Sequence, residues 1–98
     1  MEITRMLTIS TAHITKETAN LLAGNYPMMD VPSWEMSVGI YDKEGYGWLI
    51  YFELEDPIHP SMPEDLAACL RLARKHDCNI LCLDCDGDVI DSLATYDW

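Results

Sequence analysis

Basic side chains are scarce in this chain. Six lysines and arginines stand against seventeen aspartates and glutamates, a formal charge of -11 over 98 residues. A small domain usually needs a net charge of only about 2 to 8 for solubility. After Lys75 there is no Lys or Arg, while Asp77, Asp84, Asp86, Asp88, Asp91 and Asp97 follow. A field of that sign repels nucleic acid and anionic membranes and attracts basic surfaces. Direct nucleic-acid binding and membrane adsorption are therefore not expected. Long apolar runs are missing too, none approaching the ~18 residues of a membrane span. Met1 to Ser10 lacks the basic-then-apolar layout of a signal peptide. A cytoplasmic location is expected, and with it reduced Cys69, Cys78, Cys82 and Cys85. Internal repeats, low-complexity segments and a complete catalytic signature are absent, so no enzyme, cofactor or resident metal is expected.

What is present is enough apolar material, 49% of residues, for one domain over residues 1–98 to bury a core. Met6 to Ser10 reads as a short strand. Thr15 to Ala23 reads as a helix, with Thr15 as its cap and Gly24 at its exit. Asn25 to Ser33 reads as a loop. Glu35 to Asp42 alternates, with Met36, Val38 and Ile40 on one face. Lys43 to Gly45 suits a tight turn. Gly47 to Leu54 looks like a strand buried on both faces. Ser61 and Glu64 have capping-box spacing, and a helix follows to about Lys75 with Leu66, Cys69, Leu70 and Ala73 on one stripe. Asn79 to Asp84 is the last strand. An irregular C-terminal segment then docks by Ile90, Leu93, Tyr96 and Trp98. The order β-α-β-β-α-β predicts an α+β, ferredoxin-like sheet of order 4-1-3-2 with two helices on one face.

Several motifs tempt a chemical reading. Cys78, Cys82 and Cys85 have the C-x3-C-x2-C spacing of radical-SAM cluster loops. Here the run reads as strand, where alternation points Cys82 and Cys85 apart, so small core cysteines are the expectation. Ile80 to Asp91 resembles the first motif of haloacid-dehalogenase phosphatases, a strand followed by D-x-D-G, with Asp84 as nucleophile and Asp86 as acid/base. Too little chain follows to supply that family's other catalytic groups, and Asp-Gly-Asp is good turn chemistry. A calcium loop would want Gly sixth and Glu twelfth, where this chain has Val89 and Thr95. Glu44 to Tyr51 resembles the RNP1 octet of RNA-recognition domains, but it opens on Glu44 instead of a basic residue, and the first strand offers no stacking aromatic.

Position then decides among the acids. In a 4-1-3-2 sheet, one end collects Glu2, Asp42, Glu44, Asp84, Asp86 and Asp88. The opposite end holds Glu55, Asp56, Glu64 and Asp65. A row of carboxylates at a rigid sheet edge approximates a phosphate backbone. The expected partner-binding set is therefore Glu2, Asp42, Glu44, Tyr46, Asp84, Asp86, Asp88 and Asp91.

Ile9 to Thr15, Pro63 to Leu70, Leu83 to Gly87 and Thr95 to Trp98 together resemble a family of small acidic proteins carried by phages, prophages and plasmids of proteobacteria. The resemblance implies a mobile-element setting in a bacterial host. Small acidic proteins from that setting include anti-CRISPR and anti-restriction inhibitors. No catalytic residue carries over. The expectation is an inhibitor and DNA mimic that binds the basic, nucleic-acid-handling surface of a defence complex, such as a CRISPR surveillance complex. The alternatives are an accessory protein of a toxin–antitoxin or mobile-element cluster that binds by shape, and a small Asp-based hydrolase.

Overall fold

The fold is a small α+β sheet with both helices on one face. The structure, a computed structural model, describes residues 4–24, 38–43, 45–53 and 58–96. Its strands are β1 (Met6–Ser10), β2 (Gly39–Asp42), β3 (Gly47–Tyr51) and β4 (Ile80–Asp84), and its helices are α1 (Lys16–Leu22) and α2 (Glu64–Lys75). A 3-10 turn over Thr11–His13 joins β1 to α1. Of the sequence expectations, the Asn25 to Ser33 loop, residues 35–37 of the second strand, Leu54 and Trp98 lie outside the described residues.

The local signals work through the expected atoms at α1 and through different ones at α2. At α1, the Thr18 amide donates to the Thr15 hydroxyl, and Gly24 follows the exit with φ 87°, a conformation glycine adopts without a Cβ penalty. At α2, the capping box does not form. Pro63 is the cap residue and makes no side-chain cap bond, while the Ser61 hydroxyl is 2.8 Å from His59 Nδ1. Glu64 and Asp65 in the first turn and Arg74 and Lys75 in the last complement the helix dipole instead.

The sheet is mixed, and its order is β1-β4-β3-β2, which replaces the ferredoxin-like 4-1-3-2. β4 pairs parallel with β1 and antiparallel with β3, and β3 pairs antiparallel with β2. The reason lies in which strand is buried on both faces. That strand is β4, where Ile80, Leu81, Cys82 and Leu83 are all buried. An edge position, which the order 4-1-3-2 requires of it, would leave those backbone and side-chain groups in water. β3 is interior but only partly covered, and Tyr51 is exposed. β1 exposes Met6 and Thr8, so it tolerates the edge.

Leu81 and Leu83 face the helices. They join Ile9, Ile50, Ala19 and Leu22 of α1, and Leu66, Leu70 and Ala73 of α2, in one apolar cluster. Burying each of the larger side chains stabilises the fold by about 1.5–3 kcal/mol. Ile80 and Cys82 point to the other face and are buried outside that cluster.

Residues 85–96 form neither helix nor strand, as expected, but they are tightly tied down. The Ser10 amide donates to Asp88 O at 2.8 Å and the Tyr96 amide to Ala12 O at 2.8 Å. Buried His13 ties the middle: its Nε2 accepts from the Ile90 amide at 2.8 Å, and its Nδ1 is 2.8 Å from Ala94 O. One ring nitrogen accepts and the other donates, so the imidazole is neutral with its proton on Nδ1. Ile90 and Leu93 pack on the core as the sequence suggested.

Candidate functional site

The strand register decides which acids meet. Gly47, Asp84 and Ser10 share one row across β3, β4 and β1. The β2–β3 hairpin, the exit of β4 and the exit of β1 therefore lie at the same end of the sheet. Asp42 on β2, Asp86 beyond β4, and Asp88, whose carbonyl meets Ser10, lie along that end, and all three are exposed. Three interstrand spacings of about 4.8 Å give the end a width of ~14 Å. Asp91 is exposed one residue beyond the His13-anchored Ile90. Tyr46, in the hairpin, is 60% exposed, and its carbonyl accepts from the Cys85 amide at 2.8 Å.

Two parts of the sequence expectation change. The start of β1 lies beside Ile80, at the far end of the sheet, because β1 and β4 run parallel. The shared end therefore receives the exit of β1 and not its start. Glu2 and Glu44 themselves lie outside the described residues, as do Glu55 and Asp56. Glu64 and Asp65, expected at the opposite end, belong to the acidic one. Asp65 Oδ2 accepts from the Thr15 amide at 2.8 Å, and its Oδ1 accepts from the Thr18 hydroxyl at 2.9 Å, directly after the β1 exit.

The far end is mixed in charge: exposed Glu53, just beyond β3, and exposed Asp77, between α2 and β4, accompany its basic residues. Arg5 precedes β1, and its carbonyl accepts from the Asn79 and Ile80 amides. Arg74 and Lys75 close α2 just before β4 begins. Lys16, exposed in the first turn of α1, and Lys43 lie at the acidic end as well, so what distinguishes that end is its row of exposed aspartates.

Asp84 differs from its neighbours. Its Oδ2 is 3.0 Å from Lys43 Nζ, and its Oδ1 accepts from the Asp86 amide at 2.8 Å. The Asp86 N–H and then the Lys43 side chain hold its carboxyl below the ordinary 3.8. The same pairing raises Lys43 above 10.5, the hydrogen bond to Asp84 first. Asp84 is therefore a neutralised, structural carboxylate.

The D-x-D-G motif has a packing explanation as well. A Cβ on Gly87 would lie 2.5 Å from the Ile9 carbonyl, so glycine lets this turn rest on the β1 backbone. Ligand atoms of Asp84, Cys85 and Asp86 lie within 4.8 Å of one another, but both Asp84 oxygens already have partners. The RNP1-like octet is not assembled as a base-stacking platform, since β4 separates β3 from β1 and Trp48 packs on the core.

A cavity of about 420 Å³ opens at this same end. Ser10, Thr11, Tyr46, Trp48, Cys85 and Tyr96 are among the residues lining it. Of the cysteines, Cys85 alone is exposed; Cys69, Cys78 and Cys82 are buried, as small core cysteines should be. Sequence reasoning missed the contribution of Cys85, Trp48 and the 3-10 turn here. The contiguous Cys85–Asp86 pair was visible, but the approach of Tyr96 through Ala12 was not.

Residues 6–98 match the C-terminal domain of a family of unknown function, DUF5983. The chain belongs to that family. No curated protein and no solved structure matches it. Among the described residues, no helix of this DUF5983 domain is long and apolar enough to cross a membrane.

Proposed function

We propose that this DUF5983 domain is a non-enzymatic, mobile-element-encoded inhibitor in the bacterial cytoplasm, which presents its acidic sheet end to the basic, nucleic-acid-handling surface of a defence complex. The observation that carries the reading is the row of exposed carboxylates at one end of the sheet. Asp42, Asp86, Asp88 and Asp91 are exposed at one end of a rigid sheet. Such an arrangement orients the molecule as it approaches a positive partner and speeds association in a salt-dependent way. Engagement of both Asp84 oxygens supports a binding role over hydrolysis.

The test uses purified CRISPR surveillance complexes and other nucleic-acid-binding defence proteins. Their DNA binding is measured with and without the domain, at low and high salt. Inhibition should weaken steeply with salt. Reversing Asp42, Asp86, Asp88 and Asp91 to Lys should remove it while the circular dichroism spectrum stays native. Unchanged inhibition by that variant would overturn the reading in favour of binding by shape.

A further inference from the structure

We infer that the cavity at the acidic end receives an arginine side chain of the basic protein partner. The inference rests on the reading just given and specifies how that end would recognise its partner. The cavity's volume, about 420 Å³, falls within the range of small-ligand sites, roughly 300–1,000 Å³. Three of its lining side chains are aromatic: Tyr46 is 60% exposed, Tyr96 is 37% exposed, and Trp48 is half-buried. Partly exposed aromatic side chains lining one cavity suit a planar or cationic guest.

The surrounding charge selects between guests. Cys85 Sγ, in the cavity wall, lies within 4.8 Å of a carboxylate oxygen of Asp84 and of Asp86. Asp84 is committed to Lys43, which leaves the exposed Asp86 as the nearby uncompensated charge. A nucleotide could stack on the rings, but its phosphates would meet a chain of charge -11. A neutral aromatic group would leave the carboxylate field unused. A guanidinium is planar, cationic and more weakly hydrated than an ammonium, so it satisfies both the rings and the acid at a smaller desolvation cost than lysine.

The experiment titrates the domain with N-acetyl-arginine amide and, in parallel, with N-acetyl-citrulline amide, the uncharged isostere. Backbone amide shifts and the Trp48 indole resonance are followed by NMR. Arginine should shift Trp48, Tyr46, Cys85 and Tyr96 saturably, with citrulline about tenfold weaker. Tyr46→Ala and Tyr96→Ala should each weaken arginine about fivefold or more while leaving the amide spectrum otherwise folded. Equal binding of citrulline, absence of saturable shifts at the cavity, or shifts scattered over every acidic residue would each overturn the inference. Its failure is separable from failure of the proposed function. If arginine ignores the cavity while charge reversal still abolishes inhibition, the receptor falls and the acidic end stands. If arginine binds the cavity while charge reversal changes nothing, the receptor stands and the inhibitor reading falls.

Discussion

Lys43 Nζ lies 3.0 Å from Asp84 Oδ2, and the strand between them contributes a glycine to that row. Lys43 follows β2, Asp84 ends β4, and Gly47 of β3 accepts from the Lys43 amide at 2.9 Å. The pair locks the hairpin to the central strand and cancels one carboxylate in the acidic end.

That pair makes stability depend on pH at both extremes. The Asp84 carboxyl is held down, so its contribution is full above 3.8 and is lost as pH falls through the lower folded value. Lys43 is held up, so its contribution is full below 10.5 and is lost as pH rises through the higher folded value. Both groups meet solvent, so the effect should be modest and should shrink with salt. Urea melts of Asp84→Asn across pH should show a flatter acid limb than the parent. An identical limb would mean the pair is energetically silent.

His13→Ala should cost about 2–4 kcal/mol, because two hydrogen bonds to the C-terminal segment vanish and a buried ring is replaced by a void. The loss should be visible in urea melts. Hydrogen exchange should quicken at Ile90 and Tyr96, with little change in β3. If exchange rises uniformly, His13 is a core residue and not a staple for residues 85–96.

The glycines separate close approach from conformational strain. At Gly47 (φ 150°) a Cβ would stand 1.7 Å from Leu83 O, so Gly47→Ala must break the β3–β4 pairing. A cost of about 4 kcal/mol or more is expected, enough to unfold a marginal domain. At Gly45 (φ 87°) nothing lies within 4 Å, and Gly45→Ala should cost only about 1 kcal/mol of backbone strain. Thermal melts of the two variants should differ sharply; equal melting points would mean the hairpin relaxes around either methyl.

A thiol reagent should label one cysteine per native chain quickly, and Cys85→Ser should remove that phase, since Cys69, Cys78 and Cys82 are buried. Burial, then the charge of Asp65, pushes the Cys69 thiol up to about 12. The unfolded thiol ionises near 9.0, so stability should fall as pH rises from there toward 12. Rapid labelling of more than one thiol at neutral pH would show that the core around β4 opens readily.

Much of the architecture was legible in the chain. Periodicity, Thr15 and Gly24 located α1, the leucine stripe located α2, and alternation or apolar runs located the strands, because these signals act within one turn or one strand. The capping box was misread because Ser61 prefers His59, a neighbour two residues away whose competition no spacing rule includes. Asp42 of the hairpin and the acids of the β4 exit do share one end, since antiparallel β3–β4 pairing places Gly47 beside Asp84.

Sequence alone determined how negative this protein is, which segments fold locally and which cysteines suit a core. Only tertiary structure decided that β4 takes the centre and β1 the edge, because burial on both faces is a property of neighbours and not of a strand's own composition. From that single pairing follow the placement of Asp65 with the acidic end, the neutralisation of Asp84, and the cavity where Tyr46, Trp48 and Tyr96 converge. Residues distant in the chain meet there by parallel register, and register is set by the whole core.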